Sequence, residues 1–451
     1  MSAMDTPKEP EEKPTLLDAA KLVLANNDHD GQYTIPAHGL YPHQWLWDSC
    51  FVAIGLSNYD TKRAQQEILS LLKGQWTNGM MPSMILNKDF THRPDREFWR
   101  SYVSPYAPDK VATSGITQPP MLAEAVVRIG KKLTKPERRT WYQNVYPALL
   151  NYHQWFYNER DPHHQGLTLQ VHSWETGLDN TPPWIDQLHQ NRPPTWIRVT
   201  AALHLDKALT FFRRDVHFLA SNVEQRMSTM DVFILYSIQR RLRRKAYDIN
   251  RVLAHSMLTI EDLTFNCILI RGNQHLRAIA RNIGQDIPDE LDKRMRQTEQ
   301  SLESLWDAES KQYYSRNYDS QQLIRLPTIA TLLPLYAGSV SKERAAQLVN
   351  LLKTSHFQTK YPVPTVPTNS EWFHPLMYWQ GPTWLNTNWL LADGLEQYGY
   401  KEEAAELRKK SVKMVEKSGF YEYFSPLDAT PAGTDNFSWT AALIVDFLAN
   451  D

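Results

Sequence analysis

Most of the short signatures by which a chain declares its chemistry are missing from these 451 residues. Two cysteines, Cys50 and Cys267, are too few for a disulfide framework, and both fall in apolar stretches where a thiol serves as a small hydrophobe. Neither GxxxxGKS/T nor GxGxxG occurs. The histidines, His163-His164 included, show neither HExxH nor Cys/His ligand spacing, so no metal and no cofactor is expected. No run reaches 18 apolar residues, which argues against a membrane-spanning helix. The N-terminal MSAMDTPKEPEEKP has neither a basic n-region nor an apolar h-region, and a cytoplasmic protein is expected. Charge of neither sign dominates: 49 Lys and Arg stand against 50 Asp and Glu, which points away from nucleic acid and from acidic membranes. The basic stretch QRRLRRKAYDINR (239–251) is read as a solvated helix face. These exclusions leave a small molecule as the partner, with monomer or homo-oligomer open.

Rings are abundant instead. Fifteen Trp and 21 Tyr exceed the needs of a core, so some are available to stack on flat apolar ligand faces such as those of sugars. Apolar residues recur at helical spacing over 15–26, 48–57, 61–73, 118–131, 136–159, 229–246, 260–283, 289–306, 326–338, 341–354, 383–398, 401–417 and 436–449. Strand-like alternation is nearly absent, LTLQVHSW (167–174) being its best instance. The chain is therefore all-α, and its lack of a repeat period favours a closed toroid of helix pairs over a solenoid. Two stretches, 86–117 and 160–200, resist a helical reading; in a compact domain such segments are commonly lids or binding loops. The expected organisation is a disordered polar tail (1–14) and one domain (15–451) with loop insertions near 86–117 and 160–228.

Polar groups and rings meet in a few of the non-helical stretches. HSWETGLDNTPPWID (172–186) carries Glu175, Asp179 and Asp186. Gly177 loosens the backbone while Pro182 and Pro183 remove donors and crowd the preceding turn, so all three carboxylates are expected on a loop. YPHQWLWDSCF (41–51) brings Tyr41, Trp45, Trp47 and Asp48 to a helix start, where Asp48 is suited to cap. YWQGPTW (378–384) sets Trp379 and Trp384 about a Gly-Pro turn, and FYEYFSP (420–426) surrounds Glu422 with rings. A carboxylate among rings is either an accident of the surface or has a shifted pKa. Two of them, Asp179 and Glu422, suggest the acid and base of a glycoside hydrolase, whose chemistry needs one carboxyl protonated and one ionised.

These stretches resemble glycoside hydrolase family 63, most closely its small bacterial and plant mannosylglycerate and glucosylglycerate hydrolases. YPHQWLWDSCFVAIGL (41–56), QWTNGMMP (75–82), GITQPP (115–120), the 172–186 segment, YWQGPTW (378–384) and FSWTAA (437–442) follow the order of that family. The resemblance implies an (α/α)6 barrel with long loops forming a lid over the active site, and an inverting mechanism. It places the general acid at Asp179 and the general base at Glu422. Tyr41, Trp45, Trp47, Asp48, Gln118, Tyr378, Trp379 and Trp384 match positions lining the sugar pocket, and Glu175 is expected beside them as a substrate contact that supports the acid from the same loop.

The departures cluster on the aglycone side. In the glycerate-specific members an Arg and a Tyr six residues later hold the glycerate carboxylate; this chain keeps Arg226 but has Val232 at the tyrosine position. Phe437 replaces a Gln, and the loop NKDFTHRP (87–94) lacks an expected Tyr. The expectation is an inverting α-glycosidase on a small α-glucoside or α-mannoside, with glucosylglycerate and mannosylglycerate the first candidates. The alternatives are a trehalase-like or oligosaccharide α-glucosidase, and a sugar-binding toroid without turnover.

Overall fold

The computed structural model describes residues 14–89, 93–191, 195, 197, 213, 215, 225–254 and 258–450. The expected tail, save its last residue, part of the 87–94 loop and most of 192–224 lie outside the described residues.

Helices form where the apolar periodicity places them, and their ends follow local chemistry. Thr15 and Thr134 each close a capping box, with Asp18 and Glu137 respectively. The 118–131 pattern becomes helical only at Leu122, after Pro119-Pro120. The 260–283 pattern splits: Ile260–Glu261 is a short strand, and Asp262 then caps the helix Leu263–Ile283 by accepting from the Phe265 amide at 3.0 Å. Pro334, which has no amide hydrogen, breaks the 326–338 pattern into a 3-10 turn, Ile329–Leu332, and a single turn, Pro334–Ala337. LTLQVHSW forms no named strand; only Gln170 bridges, to Ile260. Strands among the described residues are two-residue antiparallel pairs that pin loops together.

Both long insertions also contain helices that the periodicity does not reveal. Arg93–Trp99 lies in the first. Pro182–Gln190 lies in the second and corrects the loop expected there: Pro182 and Pro183 occupy the first helical positions, where a missing N–H costs nothing, so Asp186 is helical.

The helices close a ring. Leu46–Leu56, Leu122–Lys131, Leu263–Ile283, Pro334–Ala337, Leu385–Gln397 and Ser438–Ala449 each pack on the next, and the last packs on the first. Their inner position follows from composition: every residue of Leu46–Leu56 is buried, as befits a helix apolar all round. Leu16–Asn26, Thr61–Leu72, Lys135–Glu159, Asp289–Ser301, Lys342–Leu352 and Lys401–Ser418 form the outer layer. They are amphipathic, and Lys401–Ser418 buries Ala404, Leu407, Ser411, Met414 and Val415 at helical spacing. Among the described residues, six inner and six outer helices in alternation make an (α/α)6 barrel.

Over one end lies a lid in which helices Arg93–Trp99 and Thr229–Arg244 pack together. The Arg243 guanidinium donates to the Glu97 and Phe98 carbonyls at 2.7 and 3.2 Å. The basic stretch is thus partly committed to the lid, with Gln239 and Leu242 buried, rather than forming only a solvated face.

Candidate active site

Tyr41, Trp45, Trp47, Asp48, Gln118, Asp179, Tyr378, Trp379, Trp384 and Glu422 all line one cavity of about 950 Å³. Most lie in short segments leading into inner helices or within a helix's first turn, whereas Asp179 precedes the helix Pro182–Gln190 and Glu422 the short strand Tyr423–Phe424. Asp48 is such a first-turn residue; Trp45, not Asp48, occupies the N-cap position.

Backbone bonds stitch the three ring-rich loops together. The Thr383 amide donates to the Phe424 carbonyl at 2.7 Å, and the reverse bond is 3.0 Å, which joins the YWQGPTW loop to the Glu422 strand. The Trp379 amide donates to Asn180 Oδ1 at 2.9 Å, and Gln380 Nε2 donates to the Asn180 carbonyl at 2.8 Å. Asp179 is fixed by these neighbours. Gly177 is required for two reasons: its φ of +70° is left-handed, and a Cβ there would collide with the Trp47 ring.

The two candidate catalytic carboxyls meet opposite surroundings. Asp179 is half-buried, and its side chain accepts from the Tyr378 hydroxyl at 3.1 Å. Burial pushes its pKa up to about 7, against the opposing pull of that hydrogen bond and of Arg226. Glu422 is buried but has a counter-ion. Arg226 Nη2 donates to Glu422 Oε2 at 2.6 Å and Nη1 to Oε1 at 3.3 Å, the Tyr41 hydroxyl donates to Oε1 at 2.8 Å, and the Thr434 amide to Oε2 at 3.2 Å. Arg226 also lies 4.4 Å over the Tyr378 ring. Asp48 is a third acid at the site and is buried; burial, with the charges of Glu422 and Asp179, raises its pKa well above its ordinary value.

Two expected substrate contacts are placed differently. Glu175 is fully buried and spent on the protein: it accepts from Arg160 at 2.6 and 3.1 Å and from the Val171 amide at 2.8 Å. Its part is to anchor the loop beneath Asp179. Arg226 lies behind Glu422, with its guanidinium committed there, while Nε has no partner among the described residues.

Trp379 and Trp384 stack on each other at 3.7 Å, and Trp384 on Tyr423 at 4.7 Å, so their faces serve largely to build the wall. Three wall tryptophans, Trp45, Trp379 and Trp439, have buried indole N–H groups without an acceptor among the described residues. Buried donors are normally paired, so these are suited to ligand hydroxyls. Trp439 escapes the sequence reading because a Trp in the first turn of an apolar helix reads as core. Phe98, Trp99, Phe233 and Tyr236 on the two lid helices, and Trp174 on the turn Ser173–Glu175, escape it likewise, because only the fold brings them to the cavity. No group of three or more potential metal ligands occurs among the described residues.

Residues 41–440 match the sequence profile of the mannosylglycerate hydrolase MGH1-like glycoside hydrolase domain. The chain belongs to that family. It is a glycoside hydrolase, 37% identical to the mannosylglycerate hydrolase of Thermus thermophilus over 93% of this chain and 97% of that one. Against the glucosylglycerate hydrolase of Mycolicibacterium hassiacum, identity is 28% over 98% of this chain and 100% of that one. The crystal structure of the family 63 mannosylglycerate hydrolase from a second strain of Thermus thermophilus, with Tris and D-glycerate bound, superposes with a TM-score of 0.84 at 36% identity. That match covers 96% of this chain and 100% of the other. The hydrolase fold read from the sequence, including its (α/α)6 barrel, is the one found.

Proposed function

We propose that this hydrolase cleaves glucosylglycerate or mannosylglycerate with inversion, Asp179 acting as general acid and Glu422 as general base. One observation supports it above others: two carboxyls face the same cavity, the half-buried one with a pKa near 7 and no cation in hydrogen-bond contact among the described residues, the buried one against Arg226. Such a split is what an acid-base pair needs. Asp179 donates its proton to the glycosidic oxygen as the C1–O bond breaks. Glu422 takes a proton from water, whose oxygen bonds to C1 from the opposite face. Sugar and glycerate leave, and Glu422 returns its proton to Asp179 through solvent. Asp48 and the indole donors suit the sugar hydroxyls. The substrates named for the relatives support the glycerate choice.

One continuous core from Ala20 to Phe447 supports a single catalytic unit over 15–451. No helix among the described residues is long and apolar enough to cross a membrane, and two buried free thiols suit a reducing, cytoplasmic setting.

Comparing kcat/KM for glucosylglycerate, mannosylglycerate and neutral α-glucosides tests the substrate. A preference for neutral compounds beyond about a hundredfold, about 2.7 kcal/mol, overturns the glycerate choice. Proton NMR of the first sugar released tests the stereochemistry: the β-anomer is expected, and the α-anomer overturns inversion.

A further inference from the structure

The cavity is larger than a glycosylglycerate requires. Such a molecule has about 18 non-hydrogen atoms, and allowing each the ~30 Å³ of a liquid water gives about 540 Å³. Of the 950 Å³ available, roughly 400 Å³ is left over. By the same generous measure one further hexose unit, about 11 atoms, takes at most about 330 Å³, so at least one fits.

The space is walled in two parts. Tyr41, Trp47, Trp379, Trp384 and Trp439 belong to the barrel's main core, whereas Phe98, Trp174 and Val232 belong to two separate small clusters under the lid. In the lid part, Phe98 is 6.0 Å from Trp174 and 5.3 Å from Tyr236. These three rings come from helix Arg93–Trp99, the turn Ser173–Glu175 and helix Thr229–Arg244. None is fully buried, and Tyr236 is 38% exposed, so packing leaves part of their surface available. Polar groups stand beside them on the same wall: Asp95, Glu97 and Arg243. Half-exposed rings bordered by carboxylates and a guanidinium suit the apolar face and hydroxyl rim of a sugar ring.

We propose that the lid end of the cavity, walled by Phe98, Trp174 and Tyr236, is a further sugar-binding subsite that takes one neutral hexose. The hydrolase then accepts a substrate one hexose longer than a glycosylglycerate, the terminal sugar being removed between Asp179 and Glu422 while the added hexose lies on the aglycone side, where Val232 stands. This rests on the hydrolytic reading above and extends it to the substrate's length.

The test compares kcat/KM for glucosylglycerate with that for α-glucosyl-glucosylglycerate, in the wild type and in Phe98→Ala and Tyr236→Ser. In the wild type the longer compound is expected to match or exceed the shorter. In each variant the ratio of longer to shorter is expected to fall about tenfold. Tyr236→Ser changes an exposed position, which keeps the test usable should Phe98→Ala fold poorly. A wild-type protein that cleaves the longer compound more than tenfold less well overturns the subsite, as does a ratio unchanged in both variants. If neither compound is cleaved and mannosylglycerate is not cleaved either, the hydrolytic reading fails, and calorimetry of the same two compounds on Asp179→Asn protein judges the subsite alone. Tighter binding of the longer one, lost in the double variant with Tyr236→Ser, supports it; equal binding overturns it.

Discussion

Asp179 is a carboxyl whose charge changes close to neutrality because burial outweighs the Tyr378 hydrogen bond. As general acid it must be protonated, so kcat/KM is expected to fall about tenfold per pH unit above about pH 7; a profile flat to pH 9 would contradict the role. Asp179→Asn and Glu422→Gln should each lower turnover about 10²–10⁴-fold in folded protein, since neither amide exchanges the proton. Stability carries the same signature. Folded Asp179 holds its proton more tightly than the ordinary value of 3.8, so stability falls as pH rises from there to about 7, and Asp179→Asn should remove that fall in Tm. Arg226 changes meaning once its position is known. Read from the sequence it belongs to the aglycone, and its loss should spare neutral substrates; in the fold it neutralises Glu422, 196 residues away. Arg226→Ala should therefore lower kcat for charged and neutral glycosides alike, and destabilise by about 3–5 kcal/mol by leaving a buried carboxylate without its cation. Unchanged kcat on a neutral glucoside would restore the sequence reading. Asp179 and Glu422 were legible because rings and prolines surround each locally, whereas their partners arrive from distant segments.

The segment 172–190 shows how an element positions a residue it barely touches. Glu175 and Arg160 fix its start, the helix Pro182–Gln190 fixes its end, and Asn180 ties the middle to Trp379 and Gln380. Gly177 lets the chain turn beneath Trp47 at a φ of +70°. Gly177→Ala is expected to cost about 1–3 kcal/mol of stability through backbone strain, and to lower kcat more than KM rises, because the displaced loop carries the acid. Equal effects on Asp179-independent sugar binding and on turnover would show general unfolding instead. The proline pair reads ambiguously by itself: it ends a helix that comes before it and starts one that follows.

The closed ring is held by charge as well as by apolar packing. Glu124, on the second inner helix, accepts from His275 at 2.6 Å on the third, from the Tyr336 hydroxyl at 3.0 Å on the fourth, and from Arg128 at 2.6 Å on its own. Arg128 and Arg271 then both reach Asp393 on the fifth. Burial alone would raise the Glu124 pKa, but His275, Arg128 and Arg271 together hold it well below the ordinary value. A depressed acid stabilises the fold fully above its unfolded pKa of about 4.3 and loses that contribution as pH falls through its folded value. Wild-type Tm should therefore drop on acidification below about pH 4.3, and Glu124→Gln should show a lower Tm at pH 7 with a smaller drop. Parallel curves for the two proteins would remove Glu124 from the acid response.

Helical periodicity and the scarcity of strand patterns were enough to set an all-α closed toroid and most of its helices, and the family resemblance of the ring-rich motifs supplied the (α/α)6 barrel and ten of the cavity residues, because these follow from local pattern and from motifs that lie in one stretch of chain. Only the tertiary structure decided that Arg226 faces Glu422, that Glu175 is an anchor, and that Phe98, Trp174 and Tyr236 wall the far end of the cavity. An ion pair or a shared wall is a property of distance between segments, and no spacing along the chain encodes the closure that brings residues 41, 226 and 422 within one hydrogen-bonded group.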